Sequence, residues 1–341
     1  MLRMCFALLL SFGIVMLIGP TVIRYLRALK AGKKIYELGP KHQAKEGTPM
    51  MGGIMMVIAL LIATLICHPT TTWGGWDFML ALWVVALAFM AVGLADDLIQ
   101  VVKKRHEGLK PMQKIVGQVV VAVAFSVYCY LNPNVGSAIY IPFANVTLDL
   151  GIFYIPLMSL FAIFMVNSSN LQDGLDGLEG TATCVGSVAW AAMALFFMSA
   201  ADAMGNRLLG DQYYSIGIYA IALVGATMGY LRFNRYPAQV FMGDMGSMFI
   251  GGSVVGMAML MRQPLMLLLI CFTMVMSSVS VMIQTTYFKL THGKRILKMS
   301  PIHHHFELCG MKETQIVSMY ATITGLLSLV AILSLNGLKL L

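Results

Sequence analysis

The sequence predicts an all-α polytopic membrane protein of about ten transmembrane helices, and three observations carry that expectation. Of its 341 residues, 59% are apolar and 11% charged, with a mean hydropathy of +0.80. A soluble domain carries about a quarter of its residues as charges, so this composition belongs in a bilayer. Ten uncharged stretches divide the chain, each near or above the ~20 residues that cross hydrocarbon as helix. The basic residues between them gather in alternate loops.

In order, the stretches cover residues 4–23, 50–72, 78–95, 115–148, 150–172, 180–201, 212–231, 245–261, 263–288 and 314–338. The first is followed by Lys and Arg rather than a small-residue cleavage site, so it reads as a retained signal-anchor. The fourth is long enough to include an outer loop. The eighth is the shortest, and its Gly243, Gly246, Gly251, Gly252 and Gly256 point to close helix packing.

Of the 23 Lys and Arg, 19 fall in odd-numbered loops: 7 across residues 24–45, 5 across 103–114, Arg232 and Arg235, and 5 across 289–312. Even loops hold only Arg207 and Arg262. The excess places the odd loops in the cytoplasm and both termini on the outer (periplasmic or extracellular) side. A net charge of +8 distributed this way suits an anionic leaflet and points to no nucleic acid. Six cysteines stand singly, without the paired spacing of a disulfide framework or a zinc site. With no linker, repeat or low-complexity tract, residues 1–341 read as one integral membrane domain.

All fifteen acids lie outside the apolar stretches, and eleven fall in odd loops. Asp96 and Asp97 end the third stretch. Adjacent helical residues point about 100° apart, so one carboxylate can face a metal or substrate while the other faces a neighbouring helix. Alone, the pair equally reads as a polar helix stop. The fifth stretch ends in Asn167-Ser168-Ser169-Asn170-Leu171-Gln172-Asp173-Gly174-Leu175-Asp176-Gly177-Leu178-Glu179. Three acids without a base run against the charge of the other odd loops, and the glycines let backbone approach a ligand. Asn167, Asn170 and Asp173 would share a face if the helix continues through them. The spacing does not fit a calcium loop.

Between the seventh and eighth stretches, Asp244 stands between Gly243 and Met245-Gly246, three residues after Phe241. An oxygen ligand there can meet a divalent ion, and Phe241 can stack on a base. A glycine-rich helix start is the plainer alternative. The ninth loop combines Lys289, Lys294, Arg295 and Lys298 with His303, His304 and His305. Adjacent imidazoles fan out and seldom bind one ion together, so phosphate or diphosphate contact suits them better. Pro301 is expected to break the helical path and hold the run on a rigid turn aimed at a cytoplasmic-facing cleft. Carboxylates for Mg²⁺, Lys and His for phosphate oxygens, and Gly/aromatic loops for a nucleotide together point to Mg²⁺-assisted phosphoryl transfer at the membrane surface.

The run Gly47-Thr48-Pro49-Met50-Met51-Gly52-Gly53, the Asp96-Asp97 pair, Asn170-Leu171-Gln172-Asp173-Gly174-Leu175-Asp176-Gly177, Phe241-Met242-Gly243-Asp244-Met245-Gly246-Ser247 and Pro301-Ile302-His303-His304-His305 resemble, in order, the bacterial phospho-N-acetylmuramoyl-pentapeptide transferases. These belong to the wider polyprenyl-phosphate N-acetylhexosamine-1-phosphate transferases. Met50 and Gln172 stand where the resemblance leads one to expect Thr. It implies transfer of a phospho-sugar from UDP-N-acetylmuramoyl-pentapeptide to undecaprenyl phosphate, with Mg²⁺, giving lipid I and UMP in the bacterial inner membrane. It further implies that Asp244 holds Mg²⁺, and that Asp96 and Asp97 act on the lipid phosphate or the metal. Asn167, Asn170, Asp173, Gly174, Asp176, Asn234 and Phe241 would line the substrate pocket, with Lys114 and His303 to His305 on the diphosphate or sugar. A homodimer is the expected assembly. Two alternatives stay open: transfer of N-acetylglucosamine phosphate, and cation-coupled transport, against which no acid lies near the middle of a stretch.

Overall fold

The computed structural model describes residues 2–29, 47–69, 77–103, 108–144 and 146–335. The basic residues from Lys30 to Lys45, with Lys104, Arg105 and Lys339, lie outside the described residues. Among the described residues, 78% are helical. Its helices are α1 (Leu2–Ala28), α2 (Gly53–Cys67), α3 (Phe78–Lys103), α4 (Pro111–Leu131), α5 (Tyr154–Gln172), α6 (Leu178–Ala203), α7 (Arg207–Asn234), α8 (Gly243–Leu260), α9 (Leu267–Ile270), α10 (Phe272–Leu290), α11 (Ile302–Leu308) and α12 (Glu313–Leu333). Among the described residues, eight helices are long and apolar enough to cross a membrane, and the α9–α10 pair would make a ninth. With α2 at 15 residues, every uncharged stretch has a helix, and the chain is a polytopic membrane protein.

Four boundaries differ from the sequence expectation. The fourth stretch is not one helix: α4 stops at Leu131, and Ala138–Ile141 (β1) pairs antiparallel with Val146–Asp149 (β2), Ala138 opposite Asp149. The all-α class thus misses one hairpin, whose β-branched and aromatic residues are as uncharged as a helix. The ninth stretch bends by 86° between residues 264–270 and α10. α3 continues to Lys103, so Asp96 and Asp97 sit inside a helix rather than ending one. α10 ends ten residues or more before Pro301, and the histidines ride on the separate helix α11.

α8 is the hub, buried on almost every face. Its small residues let neighbours approach backbone to backbone, the packing that replaces a hydrophobic driving force inside a bilayer. A Cβ on Gly251 would stand 2.8 Å from Val166 Cα of α5, and one on Gly53 would stand 2.5 Å from Gly246 Cα. The expectation of close packing at these glycines holds.

Charged side chains gather at the two ends of the bundle. At one end, His68 meets Asp77 at 3.5 Å and Gln212 Oε1 accepts from the Phe78 N–H. There too, Arg262 Nε donates to the Ala138 carbonyl, and Tyr140 Oη donates to the Ser334 carbonyl at the close of α12. At the opposite end, α3, α4, α5 and α8 bring Asp97, Lys114, Asn170 and Asp244 together.

Candidate active site

The site is organised by the start of α8. Gly243 turns the chain with φ +77°, and a Cβ there would stand 2.6 Å from Asp97 Oδ2. Only glycine meets both demands. Asp97, fully buried, then accepts from the Asp244 N–H through Oδ1 (3.1 Å) and the Met245 N–H through Oδ2 (3.0 Å). These are helix N-terminal donors with no intrahelical partner, and the positive end of the helix dipole favours the carboxylate. Asp97 therefore anchors α8 to α3.

That anchoring aims the Asp244 side chain outward. Its Oδ2 forms an ion pair with Lys114 Nζ of α4, and its Oδ1 accepts from Asn170 Nδ2 of α5 at 2.9 Å. Asn170 Nδ2 also donates to Ser247 Oγ at 2.9 Å. Asn167, one turn earlier, exchanges two hydrogen bonds with Gln118, at 2.7 and 3.2 Å. Lys114 and Gln118 lie four residues apart on α4, as Asn167 and Asn170 lie three apart on α5, so each pair shares a face. Asp96 neighbours Asp244 and accepts from the Leu109 N–H (2.8 Å) and Gln100 Nε2 (2.7 Å).

A second group lies at the α5–α6 and α7–α8 turns. α5 ends at Gln172, so Asp173 caps the helix instead of extending its Asn face. Asp176 Oδ2 accepts from the Ala238 N–H at 2.9 Å. Asn234 Oδ1 accepts from the Gly177 N–H, while its Nδ2 donates to the Val240 carbonyl. Phe241 is half-buried, its N–H donating to the Pro49 carbonyl and its carbonyl accepting from the Gly52 N–H. The 47–53 segment is thereby tied to the entrance of α8.

The three histidines have three different settings. His303 is fully buried against Gly174, and neither ring nitrogen has a hydrogen-bond partner. His304 Nδ1 lies 2.7 Å from Glu307 Oε2. His305 Nδ1 accepts from the Lys298 N–H at 3.1 Å. Burial, with His304 beside it, pushes the His303 imidazole from its ordinary 6.5 to about 3. The unfolded chain binds the proton below 6.5 and the folded chain does not, so stability is full above pH 6.5 and declines as pH falls towards 3. At pH 5 the loss is about 2 kcal/mol. His303→Gln is expected to shrink the drop in Tm between pH 7 and pH 5 in detergent; an unchanged drop would mean that His303 protonates freely in the folded state.

Reading the sequence picked out neither Gln118 nor Ser247 as a site residue. Gln118 carried a signal, an amide one turn beyond Lys114 within an apolar run. Ser247 acts one turn after Asp244.

Among the described residues, no three His, Cys, Asp or Glu side chains surround one point as a metal cage. The donor set nonetheless suits Mg²⁺, which binds one or two carboxylates, waters and substrate phosphates. Asp96, Asp97 and Asp244 carry up to three negative charges against the one positive charge of Lys114, a balance that favours a divalent cation.

A family model described as Glycosyl transferase family 4 matches residues 79–262, the segment from α3 through α8. A phospho-N-acetylmuramoyl-pentapeptide-transferase of Clostridium novyi is 38% identical over 99% of this chain and 99% of its own length. Those of Halalkalibacterium halodurans and Caldanaerobacter subterraneus are each 40% identical, covering 95% and 98% of this chain and 95% and 99% of their own. Full-length similarity at that level, over the segment that builds the site, means that the chain belongs to the phospho-N-acetylmuramoyl-pentapeptide-transferase family of membrane enzymes.

Proposed function

We propose that the protein transfers phospho-N-acetylmuramoyl-pentapeptide from UDP-N-acetylmuramoyl-pentapeptide to undecaprenyl phosphate, giving lipid I and UMP. The observation that carries this reading is the meeting of Asp244, Lys114 and Asn170 at one end of three apolar helices. A water-soluble diphosphate and a lipid phosphate can both reach such a place.

In this reading the chain crosses the bacterial inner membrane ten times, with both termini outside and the site in a cytoplasmic-facing cleft. The 15-residue α2 and the bent α9–α10 pair complete the ten. Mg²⁺ bound at Asp244, with Asp97 behind it, would neutralise charge on the diphosphate. Asp97 serves that site by fixing the backbone N–H groups of Asp244 and Met245. Lys114 holds a diphosphate oxygen, exchanging part of its pairing with Asp244. Asn170 keeps the Asp244 carboxylate oriented, and Asn167 with Gln118 keeps α5 and α4 in register around Lys114. Asp96 receives any proton that the lipid phosphate carries, and direct attack of that phosphate needs no covalent enzyme intermediate. Asp173, Gly174, Asp176, Asn234 and Phe241 form the nucleoside side, Phe241 by stacking. His304 reaches the sugar-diphosphate from α11, while His303 and His305 shape the loop that presents it. A homodimer is the proposed assembly.

The test is UMP release by the purified protein with undecaprenyl phosphate and either UDP-N-acetylmuramoyl-pentapeptide or UDP-N-acetylglucosamine, with Mg²⁺ or EDTA. Release only with the muramoyl substrate and Mg²⁺ is expected; release with UDP-N-acetylglucosamine alone would contradict the reading.

A further inference from the structure

Glu179, in the first turn of α6, is fully buried, with no base paired to it among the described residues. Its Oε1 lies 2.7 Å from Ser169 Oγ of α5. The same Ser169 Oγ lies 2.6 Å from the backbone carbonyl oxygen of Ser247 on α8. Gln172 and Thr183 flank Glu179, yet its Oε2 has no partner at hydrogen-bonding geometry. The titratable groups facing it are Asp173, at the end of α5, and Cys271, between α9 and α10. Neither supplies a positive charge.

Two oxygen–oxygen contacts this short need two hydrogens. A serine hydroxyl carries one, and a backbone carbonyl carries none. If Ser169 donates to the carbonyl, its contact with an ionised Glu179 sets lone pair against lone pair. If it donates to Glu179, the carbonyl contact is left in that position. The remaining source of a hydrogen is Glu179 itself. A buried carboxylate without a counter-charge is costly, and a neutral acid avoids that cost.

We propose that Glu179 is a neutral carboxylic acid that donates to Ser169 Oγ, which donates to the Ser247 carbonyl, forming a relay that positions the Asp244 site. Ser247 Oγ and Asp244 Oδ1 accept from the same Asn170 amide, and Asn170 directly follows Ser169. The relay thus ties α6 and α5 to the first turn of α8, and Gly251 permits the approach. Glu179 touches no reacting atom and acts as a positioning residue. The inference about positioning rests on the Asp244 reading above, whereas the proton inventory does not.

The test combines infrared difference spectroscopy with turnover. Wild type minus Glu179→Gln at neutral pH should show a protonated-carboxyl C=O band that shifts in D₂O. Glu179→Gln, whose amide can donate to Ser169, should keep kcat within about three-fold of wild type, and Glu179→Ala should lose about ten-fold or more. Absence of the band, or Gln falling as low as Ala, would overturn the proposal. Should Glu179→Ala not fold, Ser169→Ala takes its place: the band should persist and move to higher frequency as the acid loses its acceptor, and an unmoved band would overturn the relay. A wild type inactive as a transferase that still shows the band would instead contradict the Asp244 reading.

Discussion

Asp244→Asn is expected to lower kcat by about 10³, with a melting temperature close to wild type. The amide keeps the shape, its oxygen serving either Lys114 or Asn170 while its NH₂ opposes the other, and it removes the charge that a hard cation and Lys114 both require. The Asp244 side chain is partly exposed, so losing its charge costs the fold little. The anchoring of α8 is untouched, because Asp97 binds the backbone N–H of residue 244 rather than its side chain. Turnover near wild type at saturating Mg²⁺ would remove Asp244 from the metal role.

Asp97→Ala is expected to fail differently, losing about 3 kcal/mol of stability together with activity. Two buried N–H groups lose their acceptors at once, each costing about 1 to 3 kcal/mol, part of which relaxation recovers. The favourable charge at the α8 N-terminus goes with them. Asp97→Asn should lie between, since one amide oxygen can serve one N–H while the NH₂ opposes the other. Thermal unfolding in detergent separates the cases: Asp97→Ala lowers Tm and Asp244→Asn does not. Equal Tm for Asp97→Ala and wild type would show that the N–H groups find other partners.

How much of this was legible depended on what each residue type reports. The spans were readable because hydrocarbon demands long uncharged runs, and charge is visible in a sequence. The same criterion could not distinguish the hairpin of β1 and β2 from helix, nor place the 86° bend before α10, because both are as uncharged as their surroundings. Asp244 and Asn170 stood out as polar groups at the mouths of apolar runs, Lys114 entered only through the family resemblance, and the structure brings the three into one cluster. The divergence of Asp96 and Asp97 followed from helical geometry. Their partners did not, since a backbone N–H of α8 carries no side-chain signature. The histidine run was hardest: residue type does not report burial, and His303 faces Gly174 in the interior while His304 pairs with Glu307. Glu179 was visible as an acid in a loop without bases, but its relay required coordinates.

On the proposed function, the Asp244 cluster is where a metal-bound diphosphate would sit. Mn²⁺, as a paramagnetic substitute for Mg²⁺, tests it by electron paramagnetic resonance of the purified protein with UDP-N-acetylmuramoyl-pentapeptide. Wild type should convert the free Mn²⁺ signal to a bound one at stoichiometric levels, and Asp244→Asn should leave it free; equal binding by both would contradict the claim.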